Sequence, residues 1–183
     1  METIVFATGN AGKLKELLKL APPGMQITSQ KVELEEIQSM DVREIVEHKL
    51  REAYRQVGKP VIVEDVGAGL ASLKGLPGPF MKFFEQRLGR DALYQIQKVP
   101  NDSVTIQSIA GFYDGQRMLF GEGIVRGHIA APRGENGFGF DSVVVPDNQP
   151  DGQQRTFAEM TTEEKNAISH RGQALRALLS QLS

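Results

Sequence analysis

The sequence predicts an α/β fold: one domain built on a long mixed β-sheet flanked by helices, bent into two lobes with a central cleft. Three observations predict it. The first third alternates strand-like and helix-like periodicity. Two long β-rich runs then follow one another across an Asp114-Gly115 turn signal. No repeat, low-complexity tract or linker divides the 183 residues, a length suited to a single domain with a sizeable core.

The elements follow in order. Thr3-Ile4-Val5-Phe6-Ala7 is a short β-rich run, as expected of a buried strand, and Thr8 to Gly12 breaks it. Leu14, Leu17, Leu18 and Ala21 recur at helical spacing, and Pro22-Pro23 stops that helix. Ile27 to Val32 predicts a second strand. Asp41 is a good N-cap with Glu44 three residues on, and Val42, Ile45, Val46 and Leu50 mark the apolar face of the next helix. Gly58-Lys59-Pro60 ends it, and Val61-Ile62-Val63 is again a short strand. Val104–Tyr113 and Met118–Ile129 are the long strands, with one more expected at Val143–Val145. A last amphipathic helix runs from about Ser169 to Leu182.

Composition narrows the function classes. Hydrophobic residues make up 40% and charged residues 24%, as in ordinary globular proteins. The net charge of −2 does not suggest a nucleic-acid polymer as partner. There is no cysteine, which excludes disulfides and thiolate metal sites and suits a reducing interior. The three histidines, His48, His128 and His170, lack metal-binding spacing, which argues against zinc. No apolar run approaches the ~18 residues of a membrane span. METIVFATGN has neither the basic start nor the cleavage site of a signal peptide. A soluble, cytoplasmic protein without a membrane or nucleic-acid partner is expected.

Five stretches hold residues able to carry chemistry. In ATGNAGK, Ala7 to Lys13, a strand gives way to a Gly- and Asn-rich turn and then a helix with Lys13 in its first turn. Backbone amides at such a start attract anions, and glycines allow close approach. The spacing is not that of a P-loop, and a plain turn with a surface lysine is the commoner meaning of the pattern. In VIVEDVGAGLASLKGLPGPF, Glu64 and Asp65 sit where a hydrophobic strand is expected to end, where open α/β sheets bind ligands. Adjacent carboxylates on a strand face opposite ways, so one of the two faces a given site. Their oxygens suit phosphate-bound Mg²⁺, while exposed acids in a turn are an equal reading. ELEEIQ, with Glu33, Glu35 and Glu36, reads by itself as a solvated face.

In NGFGFDS, Phe138 and Phe140 lie beside Gly137, Gly139 and Asp141, where aromatics either stack on a base or pack in the core. EEKNAISHR gathers Lys165, Asn166, Ser169, His170 and Arg171 within seven residues. Thr161 and Glu164 fit a capping box. A continuous helix advances roughly 100° per residue and would scatter these donors. A break near Ser169 would turn them toward one ligand, a polyanion or a polar ring.

Taken together these stretches resemble the inosine triphosphate pyrophosphatase family. The pieces match in order: Thr8-Gly9-Asn10 with Lys13; Glu36; Glu64-Asp65 with Gly67 and Pro77-Gly78; Phe138-Gly139-Phe140-Asp141; and Ala158-Glu159-Met160 through Glu164-Lys165-Asn166 to Ser169-His170-Arg171. The likeness runs from residue 4 to about residue 175. It implies one elongated nucleoside triphosphate pyrophosphatase domain over residues 1–183, as a homodimer. The implied reaction is Mg²⁺-dependent hydrolysis of ITP, dITP and XTP to the monophosphate and pyrophosphate. By position, the resemblance gives the phosphates to Thr8, Gly9, Asn10 and Lys13, joined by Lys49 and Lys82. It gives the metal to Glu36 and Asp65, with Asp65 also the general base for water. Phe138 stacks on the base, with Gly139, Phe140, Asp141, Lys165, Ser169, His170 and Arg171 around the nucleoside. Three positions depart from the family pattern: Val66 for Ser or Thr, Ala68 for Leu, and Ser142 for Pro. Two other readings compete: a pyrophosphatase for modified pyrimidine or other odd nucleotides, and a nucleotide or RNA binder without catalysis.

Overall fold

The computed structural model describes residues 3–182. Among them seven strands form one mixed sheet in the order β2-β1-β3-β5-β6-β7, with β4 paired to β3. The strands are β1 Ile4–Ala7, β2 Ile27–Gln30, β3 Val61–Leu70, β4 Pro77–Gly78, β5 Ser103–Tyr113, β6 Met118–Ile129 and β7 Val144–Pro146. The helices are α1 Ala11–Leu20, α2 Val42–Val57, α3 Met81–Leu88, α4 Ala92–Ile96, α5 Thr162–Ile168 and α6 His170–Leu179. β1 runs parallel to β2 and β3, whereas β3–β4 and β6–β7 are antiparallel, so the sheet is mixed as expected. The described residues divide into two compact units, the first of residues 3–65, 108–123 and 171–182 and the second of 66–107 and 124–170.

In the first unit, strand alternation sorts side chains onto two faces. Ile4, Phe6, Ile62, Ala110 and Phe112 pack with Leu17 of α1 and Ala174, Leu175, Leu178 and Leu179 of α6. Val5, Val61, Val63 and Ile109 point the other way, onto Val42, Val46, Leu50 and Ala53 of α2. This is the period of two expected of strands covered on both faces. Gly121 lets α6 lie directly on β6, because a Cβ there would run into the backbone at Ala174 and Leu178. The caps behave as local chemistry dictates. Asp41 accepts from the Arg43 amide at 2.8 Å, and Gly58 closes α2 in the left-handed conformation at φ 67°. Glu44 does not complete a capping box; its carboxylate takes the Ser39 hydroxyl at 2.7 Å instead.

The second unit packs Ala68 and Leu70 of β3, Val104 and Ile106 of β5, and Val125 and Ile129 of β6 around Met81, Leu93, Phe140, Phe157 and Met160. Here the structure corrects the sequence map. β3 does not end at Val63 but runs ten residues from Val61 to Leu70, so Glu64 and Asp65 lie within a strand rather than at its end. Gly67 and Gly69 hide that continuation, because glycine reads as a turn. A Cβ on Gly69 would collide with the Gly75 backbone, so the glycine permits the returning β4 to pair at Ala68 and Gly69. Residues 81–96, for which the sequence sets no element, form α3 and α4. The break at Ser169 is present: α5 stops there in an extended conformation and α6 begins at His170.

Candidate active site

The first unit holds a charged group around β3. β1 turns into α1 through Thr8, Gly9 and Asn10. The Asn10 amide donates to Thr8 Oγ1 at 3.1 Å, and Asn10 Oδ1 accepts from the Gly12 and Lys13 amides at 2.9 and 3.2 Å. The asparagine side chain thus satisfies amides that the turn sequence suggested for an anion. Lys13 reaches Glu64, its Nζ donating to the backbone oxygen at 3.1 Å and lying 2.7 Å from Oε2.

Glu64 and Asp65 face opposite ways, as adjacent strand residues must. Glu64 is buried. It accepts from Ser108 Oγ at 2.6 Å, and Arg171 Nε lies 3.0 Å from its Oε1. Arg171, also buried, donates through Nη1 to Glu16 at 2.8 Å. Burial alone would raise the Glu64 carboxyl. The charges of Arg171 and Lys13, with hydrogen bonds from Lys13 and Ser108, outweigh it and hold Glu64 well below the usual carboxylate range.

Asp65 meets Lys49, whose Nζ is 2.5 Å from Asp65 Oδ2 and 3.0 Å from Glu36 Oε1. Lys49 sits on the inward stripe of α2 beside Ile45, Val46, Leu50 and Ala53. Burial pulls its ammonium down, but Asp65 first and Glu36 second overcome this and push it above its ordinary value. Glu36 lies in the irregular segment 31–40. That segment is tied to α2 by the Glu35 amide on Glu52 at 2.7 Å and by Gln56 on the Glu33 carbonyl at 3.0 Å. Glu33 and Glu35 are exposed, as a solvated run should be, while Glu36 turns to Lys49. Glu36 and Asp65 supply hard oxygen donors. Among the described residues no three His, Cys, Asp or Glu side chains are placed as a metal cage. Two carboxylates completed by substrate phosphates fit the usual way a small divalent cation is held.

The second unit holds Phe138, Phe140, Asp141, Lys165 and His170. Gly137 has φ 72°, and a Cβ on it would strike the Asp141 carboxylate. That carboxylate accepts from the Phe138 amide at 2.8 Å and from Lys165 Nζ at 2.7 Å. Lys165 and Asp141 are both buried, and the ammonium also lies 4.7 Å from the centre of the Phe138 ring, a cation–π contact. Gly139 starts a short 3₁₀ turn that ends at Ser142. Phe140 packs in the core, with its ring 5.9 Å from His170, which also meets Phe157 at 5.9 Å. Ser169 is fully buried and donates its amide to Lys165 O at 2.8 Å. Lys82 is exposed on α3.

The structure therefore gathers Lys13, Glu64 and Arg171 in one network, Glu36, Lys49 and Asp65 in a second, and Phe138, Asp141 and Lys165 in a third. Sequence reasoning missed Glu16 and Ser108. The signal for Glu16 was its place three residues after Lys13, on one face of α1. Ser108 had the signal of a hydroxyl alternating with Ile106 and Ala110 on an apolar strand.

The profile of the Ham1 family matches residues 4–181. The chain belongs to the Ham1 family. An inosine triphosphate pyrophosphatase from Yarrowia lipolytica is 43% identical over 180 residues, covering 96% of this chain and 93% of that protein. A dITP/XTP pyrophosphatase from Thermococcus kodakarensis is 37% identical, covering 98% and 96%. A solved HAM1 protein from Coxiella burnetii superposes with a TM-score of 0.79 at 32% identity, covering 100% of this chain and 98% of that one. The three positions that the sequence sets apart, Val66, Ala68 and Ser142, all lie in the second unit. Val66 packs against the core, Ala68 is fully buried in it, and the Ser142 carbonyl accepts the Arg133 amide at 2.9 Å.

Proposed function

We propose that this chain hydrolyses non-standard purine nucleoside triphosphates, ITP, dITP and XTP, to the monophosphate and pyrophosphate, with Mg²⁺ as the metal. The observation that carries the reading is the carboxylate pair Glu36 and Asp65 on one buried lysine, in a Ham1 chain whose full-length relatives are named for this hydrolysis. A bound Mg²⁺ supplies charge neutralisation and polarises phosphoryl oxygens. The protein's own groups do the rest. In the first unit Thr8, Gly9, Asn10, Lys13 and Lys49 are assigned to the phosphates. Asp65, with 23% of its side chain exposed, takes the proton that the attacking water gives up as the bond between the α- and β-phosphates breaks. Arg171 is assigned the six-oxo group of the purine, since arginine offers donors only and meets donor against donor with adenine. In the second unit the ring of Phe138 is assigned to stacking on the base, with Asp141, Lys165 and His170 around the nucleoside and Lys82 on phosphate.

A panel of triphosphates, assayed for pyrophosphate release with and without Mg²⁺, tests the proposal. Values of kcat/KM for ITP, dITP and XTP at least about tenfold above that for ATP are expected, lost when EDTA removes the metal. Equal turnover of purine and pyrimidine triphosphates would overturn the substrate assignment.

A further inference from the structure

The Lys49 ammonium occupies the place where a cation would be wanted. Its Nζ lies 3.0 Å from Glu36 Oε1 and 2.5 Å from Asp65 Oδ2. These are the two acids whose oxygens fit a phosphate-bound divalent cation, and the inference below rests on the proposed metal-dependent function. The side chain of Lys49 is 10% exposed, against 23% for Asp65 and 35% for Glu36. The ammonium is thus the buried member of the triad, and the carboxylates are its more accessible members. The rest of the inward stripe of α2 is apolar, with Val42, Ile45, Val46, Leu50 and Ala53. One acid would suffice to neutralise a buried lysine. Here the same nitrogen bonds two, from residues 13 and 16 positions away.

The consequence for metal binding is electrostatic. A carboxylate pair attracts a divalent ion by its charge of −2. With an ammonium at hydrogen-bond distance from both acids the triad presents −1, and an oxygen of each acid is already engaged. A divalent ion must displace that ammonium or bind against its repulsion. A triphosphate changes the balance, because it offers the ammonium an alternative anionic partner and offers the metal further oxygen ligands.

We propose that Lys49 is a resident cation that holds the Glu36–Asp65 pair closed to divalent metal until a triphosphate arrives, so that metal and nucleotide load together rather than metal first. The coupling is reciprocal: the nucleotide raises metal affinity by the factor by which the metal raises nucleotide affinity. Lys49 is then a positioning residue for the metal as well as a phosphate ligand.

The test is a titration of the full-length, nucleotide-free protein with Mn²⁺, following the free ion by its paramagnetic resonance signal. Lys49→Met keeps the length of the side chain and removes the charge. It is expected to bind Mn²⁺ at least tenfold more tightly than wild type, and adding Asp65→Asn is expected to remove the gain. Lys49→Arg keeps the charge and is expected to bind Mn²⁺ as weakly as wild type. Thermal unfolding gives a second readout that tolerates a weakened fold: Mn²⁺ should raise the Tm of Lys49→Met more than that of wild type. Affinity in Lys49→Met equal to or below wild type, or an equal gain in Lys49→Arg, would overturn the inference. The underlying metal assignment is read separately, from Mn²⁺ binding in the presence of α,β-methylene ITP. If Asp65→Asn lowers that binding while Lys49→Met shows no gain, the lysine inference alone fails. If Asp65→Asn leaves that binding unchanged, the metal assignment fails and the inference with it.

Discussion

Asp65→Asn is expected to lower ITP turnover by about 10²–10⁴-fold, the range that a positioned general base contributes. The substitution is chosen to change as little else as possible. Asparagine has nearly the same volume and keeps a carbonyl oxygen that can accept from Lys49, so β3 and its pairing are preserved. What disappears is the negative charge and the ability to take a proton from water. The side chain of Asp65 is partly exposed, which allows a water molecule to reach it. Circular dichroism and a Tm close to wild type would show that the fold survives. Turnover near the wild-type value at saturating Mg²⁺ would remove Asp65 from the chemistry.

Arg171→Ala is expected to have the largest effect on stability, and a separable effect on selectivity. The guanidinium is buried and bound to Glu16, with Glu64 3.0 Å away. Truncating it leaves two buried carboxylates with Lys13 as the remaining cation named in the network. Removing one partner from a buried ion pair typically costs about 3–5 kcal/mol, far more than the pair itself adds over an apolar replacement. Urea unfolding measures the loss, and a change below about 1 kcal/mol would contradict the network.

The same network sets a pH dependence. The fold holds Glu64 below its ordinary value near 4.5, so the unfolded chain binds its proton first as pH falls. The stabilisation is therefore present above about pH 4.5 and is lost as pH falls through and below that value. In Arg171→Ala the acid limb should be shallower, because the largest charge holding Glu64 ionised is gone. An acid limb as steep as in wild type would contradict this origin. Selectivity is read on the folded fraction of the same variant. If Arg171 pairs with the six-oxo group, kcat/KM for ITP falls steeply and that for ATP barely moves, closing a gap of about ten- to a hundredfold. An unchanged ITP-to-ATP ratio would confine Arg171 to the buried network.

Much of the fold was legible because its signals are local. Asp41 caps α2, Gly58 ends it, Asp114-Gly115 joins two long strands, and Ser169 breaks the C-terminal helices; each depends on a few neighbouring residues. β3 was cut short at Val63 for the opposite reason. Gly67 and Gly69 lower strand propensity, and what keeps them in a strand is the returning segment at Pro77-Gly78. The helices at 81–96 were invisible because so little of either is buried; α3 buries Met81, and α4 buries Ala92 and Leu93.

The candidate site divides in the same way. The family resemblance carried the candidate residues over by position. Which cation meets which acid was not readable, because the partners are remote in sequence. Lys13 bonds the carbonyl of a residue 51 positions on, and Arg171 bonds Glu16 across 155 positions. Glu36 was hidden in a run of acids, of which, among the described residues, it alone is placed on Lys49. The family resemblance gives Arg171 a ligand contact, and the structure adds a buried acid on either side of it, Glu16 and Glu64.

The identity of the products distinguishes pyrophosphate release from every other fate of the bound nucleotide. ITP incubated with the protein and Mg²⁺ is separated by anion-exchange chromatography at several times. IMP and pyrophosphate are expected, one of each for every ITP consumed, with neither product formed when EDTA is present. Accumulation of IDP and orthophosphate, or ITP that binds and remains intact, would contradict it.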